Sequence, residues 1–127
     1  MARFFWICLG GAIGTGARYL LSGWLLRVAG PGFPWGTLAV NIVGSFLLGL
    51  LMHVALMSEL CTPTLRLALT TGVIGGFTTY STFNYETLRL IQGDAWLLGF
   101  FNLGTTVGGC LLAGVLGLMT GRLLKGL

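Results

Sequence analysis

The chain has 127 residues, of which 55% are hydrophobic, only 8% are charged and 22 are glycine, and its formal net charge is +4. A soluble domain carries charge on about 25% of its residues, so this chain cannot cover a water-facing surface, which excludes a small soluble enzyme. Its basic residues are spread along the chain rather than clustered, which argues against a nucleic-acid-binding protein.

The apolar segments predict an all-α membrane protein with four transmembrane helices, because a helix needs roughly 20 apolar residues to cross a bilayer. They form long unbroken runs, unlike the alternating segments of about ten residues in a membrane β-barrel. The predicted spans are 4–27, 35–58, 65–91 and 95–121, all within a single domain over 1–127. The first segment is too long for the apolar region of a signal peptide, so we retain it as a span.

The distribution of charge gives only a weak orientation signal. If the spans alternate, the basic residues on one side are Arg3, Arg66, Arg122 and Lys125, and those on the other are Arg27 and Arg89, with Arg18 just inside span one. Such a small excess is compatible with insertion in both directions and antiparallel pairing.

Span two carries a polar stripe. Thr37, Asn41 and Ser45 recur at every fourth residue, which places them on one helical face. An unpaired amide is costly in hydrocarbon, so Asn41 is expected to face protein or water. Two interpretations stay open, an interhelical hydrogen bond and a pore lining in which the Asn41 amide donates to a dehydrated anion.

Span three contains glycines followed by hydroxyls: Gly72, Gly75, Gly76, Thr78, Thr79, Ser81 and Thr82. This composition predicts a mid-membrane break near 75–78. Free carbonyls there would hold a hard cation such as sodium, unless the glycines serve only close packing. Beyond the break, Tyr80 and Phe83 share a helical face, so their rings either pack together or turn their positive edges toward a small anion.

Close packing is also expected at the GxxxG pairs, which are Gly10–Gly14, Gly72–Gly76, Gly104–Gly108 and Gly117–Gly121. Among the ionisable residues, Arg18 indicates either a vestibule or carbonyl partner, or a snorkelling side chain. Glu86 precedes Arg89 by three residues and predicts a local ion pair. Span four has a weakly polar stripe of Asn102, Thr106 and Cys110 that could face Asn41.

Three stretches together resemble the small bacterial fluoride channels called Fluc or CrcB, over nearly the whole chain. They are GGAIGTGARY (10–19), GTLAVNIVGSFLLG (36–49) and TTGVIGGFTTYSTFNYE (70–86). The third is the most specific, because a glycine break followed by TT-aromatic-STF is rarely met elsewhere. The four predicted spans occur in the order expected for this family.

The resemblance implies an antiparallel, dual-topology homodimer in the cell inner membrane, with two pores at the subunit boundary that export fluoride passively. The pore positions it implies are Thr37, Asn41, Tyr80, Ser81, Thr82 and Phe83, with Tyr80 and Phe83 as an aromatic box. It implies a structural sodium ion on the dyad, held by the backbone carbonyls of Gly75 and Thr78 of both chains. Arg18 and Glu86 take structural or vestibule positions.

The chain departs from the family pattern at two of these places. Tyr80 stands where the family usually has phenylalanine, which adds a hydroxyl donor to the first box position. Cys110 stands where serine or threonine often lines a polar track, so the resemblance carries that track to Cys110 only loosely.

Two other functions compete with a channel. A small proton-coupled multidrug transporter also has four spans and dual topology, but it needs a carboxylate in span one, where the only ionisable interior residue is Arg18. A structural or assembly protein would explain the glycines but leaves Asn41, Tyr80 and Phe83 without a reason to coexist. The sequence offers no nucleophile–base pair or phosphate loop, so we predict no enzyme.

Overall fold

A computed structural model of the chain describes residues 1–57 and 61–125, and every regular element in that part of the chain is helical. The elements are α1 (Ala2–Ala29), α2 (Trp35–Met57), α3 (Pro63–Leu67), a π-helical segment (Ala68–Ile74), α4 (Gly75–Phe77), α5 (Tyr80–Gln92) and α6 (Trp96–Lys125). The three short elements over 63–77 follow one another directly, and we call them the first half-helix. The second half-helix is α5.

Within the described residues, three helices are long and apolar enough to cross a membrane: Ala2–Ala29, Trp35–Val54 and Trp96–Leu124. They coincide with predicted spans one, two and four, although the predicted end of span two at Ser58 lies outside the described residues. Span three consists of two half-helices, and neither is long enough to cross a bilayer alone. The architecture is therefore that of a multi-pass helical membrane protein with an interrupted helix.

The glycines of α1 contact the glycines of the first half-helix. A Cβ atom on Gly10 would lie 2.5 Å from the Ala68 carbonyl oxygen, and one on Gly76 would lie 2.6 Å from the Gly11 carbonyl oxygen. Because these neighbours are backbone atoms, the two helices approach to direct main-chain contact, as GxxxG pairs allow. The packing predicted for these glycines is confirmed.

Only some of the glycines of α6 are in close contact with another helix. Gly117 lies against the Phe46 backbone of α2, and a Cβ on Gly121 would lie 2.9 Å from His53 Cβ. Gly104 and Gly108 have nothing within 4 Å in the described chain. The close packing predicted at Gly104–Gly108 is therefore wrong within one subunit, because no helix in the described part of the chain covers that face.

The helix break lies at Thr78 and Thr79, which have extended backbones with ψ of 159° and 117°. Gly75 and Gly76 remain helical. The predicted unwinding over 75–78 is thus wrong except at Thr78. The glycine segment stays helical because its missing side chains let it pack against α1, and the break falls where the packed segment ends.

Candidate ion pathway

The Asn41 side chain of α2 binds the main chain at the helix break. Its Nδ2 donates to the Thr79 carbonyl oxygen (3.0 Å), and the Thr79 N–H donates to Asn41 Oδ1 (2.8 Å). Both residues are buried, and the Thr79 N–H precedes the first turn of α5, so no carbonyl of that helix can accept it. The interhelical hydrogen bond considered for Asn41 is therefore formed. It leaves the second N–H of the amide available to another acceptor.

The break changes the partners of the last carbonyls of the first half-helix. In a continuous helix the Thr79 N–H would bond to the Gly75 carbonyl, but it donates to Asn41 instead. The Gly75 carbonyl therefore loses its helical donor. The Thr78 carbonyl accepts from Arg18 Nη1 at 3.4 Å, so the carbonyl partner considered for Arg18 is present.

Thr79 is also the N-cap of α5. Its Oγ1 accepts from the Thr82 N–H (3.3 Å) and donates to Thr82 Oγ1 (3.0 Å), while Ser81 Oγ lies 3.5 Å from the same atom. A threonine in this position satisfies one of the free N–H groups at a helix start. The hydroxyls after the break thus build the beginning of α5, whose dipole gives this end a partial positive charge.

One cavity, of about 450 Å³, lies among α1, α2 and α5, and we call it the Arg18 cavity. Its polar lining residues include Arg18, Thr37, Thr79, Thr82 and Glu86. The structure therefore brings the two predicted vestibule residues together with two of the predicted pore residues. The rest of the lining is largely apolar, so charged groups of both signs face a mainly apolar space.

Glu86 does not pair as predicted. Its Oε2 atom is buried and has no hydrogen-bond partner among the described residues, so the expected pairing with Arg89 does not engage this oxygen. Glu86 borders the Arg18 cavity and also a smaller cavity of about 280 Å³ that Arg89 helps to line. The carboxylate thus lies between two spaces rather than in a closed ion pair.

A second cavity, of about 420 Å³, lies on the other side of the break, and we call it the Phe83 cavity. Its lining includes Asn41, Tyr80, Phe83, Thr106 and Cys110. The Tyr80 and Phe83 rings form an edge-to-face pair, with centroids 5.7 Å apart and an interplanar angle of 65°. Phe83 is only 4% exposed, whereas Tyr80 is 77% exposed. The rings pack on each other and also border the cavity, so the two interpretations of this pair are compatible.

Thr79 lines both cavities. Gly75 and Thr78 border the Phe83 cavity. Ser81 lines neither cavity and is exposed. Apart from Ser81, every residue predicted for the site borders one of these two cavities.

Sequence reasoning did not assign Thr79 or Thr106 to the site. A threonine three residues before Thr82 at a helix start is an N-cap signal that points to Thr79. Thr106 belongs to the stripe expected to face Asn41, but Asn102 of that stripe donates to Thr87 Oγ1 of α5 (2.9 Å). For Asn102 the observed partner is therefore Thr87 of α5 rather than Asn41.

Fold and site together define a multi-pass membrane protein with a cavity on each side of an interrupted helix, each lined in part by polar side chains, the architecture of a channel or transporter. The family model described as "CrcB-like protein, Camphor Resistance (CrcB)" matches residues 5–118. The chain belongs to this CrcB family, as its sequence motifs predicted.

Curated relatives of the chain are named "Fluoride-specific ion channel FluC". The chain is 58% identical to that of Sorangium cellulosum (strain So ce56), with 96% of each protein covered. It is 53% identical to that of Anaeromyxobacter sp. (strain K), over 99% of this chain and 100% of the relative. It is 46% identical to that of Geobacter sp. (strain M21), over 98% of this chain and 100% of the relative. Channels are not enzymes, so the prediction of a non-enzyme is confirmed.

Proposed function

We propose that the chain is a fluoride-selective channel that gives passive export of fluoride from the cytoplasm. One observation carries the proposal: at a single helix break, an amide, a cap hydroxyl and an edge-to-face aromatic pair border two adjacent cavities that share Thr79 in their walls. This arrangement occurs in a chain whose relatives are named fluoride-specific ion channels.

The chemistry of the site suits a small, strongly hydrated anion. Fluoride must exchange its water for other donors, and the second N–H of Asn41, the threonine hydroxyls and the aromatic ring edges are such donors. Among the described residues that line the Phe83 cavity there is no Lys or Arg. An anion there would be stabilised without a cationic side chain, so it would also be released.

The order of the residues suggests a route. Arg18 in the wide Arg18 cavity would raise the local concentration of anions. From there an ion would pass Thr82 and Thr79 and reach Asn41 and Phe83. Thr37 supports the first part of this route, since it lines the Arg18 cavity.

The proposal includes an antiparallel homodimer with two pores at the subunit boundary. Tyr80 is exposed beside the break, so one chain leaves the wall of the Phe83 cavity incomplete there. A second copy would cover Tyr80 and complete the wall. The weak charge bias of the loops supports insertion in both orientations.

The proposal also includes a structural sodium ion at the break. Carbonyl oxygens are suitable ligands for a hard cation. The Gly75 carbonyl lacks its helical donor, and the Thr78 carbonyl, which accepts one long bond from Arg18, retains a second lone pair. These residues fit the ion if both chains contribute. When bound, sodium would offset the repulsion between converging carbonyl dipoles.

The location proposed is the cell inner membrane. Fluoride enters a cell as neutral hydrogen fluoride at low external pH and is trapped as an anion in the more neutral cytoplasm. A passive anion channel in that membrane would let the trapped ion leave.

Purified protein reconstituted into vesicles loaded with potassium fluoride tests the proposal. Valinomycin starts the efflux, and a fluoride electrode records it. We expect rapid efflux beyond that of protein-free vesicles, and little efflux of chloride from matched chloride-loaded vesicles. Fluoride release no faster than from lipid alone, with the protein shown to be incorporated, would exclude the function.

A further inference from the structure

A buried chain of hydrogen bonds joins α5 to α6 beside the Phe83 cavity. Asn102 Nδ2 donates to Thr87 Oγ1 (2.9 Å), and the Thr87 hydroxyl donates to the Phe83 carbonyl (2.8 Å). Asn102 Oδ1 accepts from the Thr106 hydroxyl (3.4 Å). Asn102 is only 1% exposed, and it is not among the residues that line the cavity. Asn102 therefore links two residues of the cavity wall, Phe83 and Thr106, without itself facing the cavity.

Thr87 and Thr106 do not need Asn102 to satisfy their hydroxyl groups. Thr87 already bonds to the carbonyl of Phe83 within α5. The hydroxyl of Thr106 could bond to the carbonyl four residues earlier on its own helix, as threonines in helices commonly do. Burying an amide costs free energy of desolvation, which an apolar side chain of similar size would not cost at this position. The role left for the hydrogen bonds of Asn102 is to fix the position of α5 relative to α6.

We infer that Asn102 is a positioning residue of the ion pathway. Through Thr87 it fixes Phe83, and directly it fixes Thr106, so it sets the width of the Phe83 cavity without touching the ion. The inference rests on the proposed function, because it assigns a role within that pathway. Width matters because the pathway must replace the hydration shell of a small ion at close contact.

The experiment compares fluoride efflux per incorporated protein for four variants and the wild type. Asn102→Val removes the amide, Thr87→Val removes its partner hydroxyl, and the double variant removes both. Each single change should slow efflux about tenfold, the effect of about 1.4 kcal/mol on a barrier, and the double variant should be no slower than either. Thr87→Ser keeps the hydroxyl and should restore wild-type efflux.

Controls separate positioning from stability and from failure of the proposed function. Thr120→Val removes a hydroxyl that bonds only within α6, so it should conduct like the wild type. Melting temperatures in detergent should stay close to that of the wild type. Efflux of Asn102→Val within about twofold of wild type, or Thr87→Ser as slow as Thr87→Val, would overturn the inference. If Asn102→Val does not fold, the two Thr87 variants decide the question. Absence of efflux from the wild type itself would instead refute the proposed function.

Discussion

Asn41 connects two parts of the chain that are 38 residues apart, and it does so through main-chain atoms of Thr79. Its spacing from Thr37 and Ser45 predicted the helical face that it occupies. The hydrogen-bond partner of Asn41 could not be predicted in this way, because every residue has the same main-chain N–H and carbonyl groups apart from proline. The same holds for Thr79, whose role depends on where the break falls.

Asn41→Asp keeps the size of the side chain but exchanges its donor for an acceptor. The new oxygen would face the Thr79 carbonyl, now 3.0 Å from Nδ2, so the two oxygens would repel each other. We expect fluoride efflux to fall by at least about tenfold, and the free energy of unfolding to fall by about 1–3 kcal/mol. Asn84→Asp makes the same change at an exposed residue of α5 and is the control. Wild-type efflux from Asn41→Asp would remove Asn41 from the pathway.

Phe83→Ile tests the ring edges. Isoleucine keeps an apolar wall but has no aromatic hydrogens with partial positive charge. Efflux measured with the electrode should fall by at least about tenfold. Phe100→Ile is the matched control, since Phe100 is an exposed ring of α6 that stacks on Trp96. Equal efflux from both variants would show that the Phe83 ring only fills space.

At the scale of elements, long apolar runs predicted α1, α2 and α6 within a few residues of their observed ends. The interruption of span three was also predicted, but its position was misplaced into the glycine segment. Glycine lowers helix propensity, yet here it permits main-chain contact with α1, and the packing outweighs the propensity. A pattern in one segment cannot reveal which neighbour fills the space beside it.

Gly14→Ala tests this contact. A Cβ on Gly14 would overlap the Val73 carbonyl, whereas Gly16 on the same helix has nothing within 4 Å. We expect Gly14→Ala to separate α1 from the first half-helix and to destabilise the protein by about 1–3 kcal/mol. Gly16→Ala should be neutral or should stabilise the protein by about 0.5–1 kcal/mol through helix propensity. Thermal unfolding in detergent measures both, and equal melting temperatures would refute the contact.

At the scale of the whole molecule, the arrangement of two copies depends on surfaces that one chain leaves open. Tyr80 and the glycines 104 and 108 lie on such exposed surfaces. Spacing within the sequence predicts which residues share a face, but the relative direction of two chains depends on the membrane and on small differences in loop charge.

Labelling of a single cysteine tests the antiparallel arrangement. Arg3→Cys would be introduced after replacement of the native cysteines, which are Cys8, Cys61 and Cys110. A membrane-impermeant thiol reagent is then added outside intact cells. Insertion in both directions predicts labelling of about half of the protein, whereas one orientation predicts labelling of all or none. Either extreme would contradict dual topology.

The reversal potential in a planar bilayer tests the fluoride pathway most directly. The wild-type channel would be inserted between solutions with a tenfold or so gradient of fluoride and equal chloride. We predict a current whose reversal potential follows the equilibrium potential of fluoride. A reversal potential that does not change when the fluoride gradient is changed would contradict a fluoride-selective pathway.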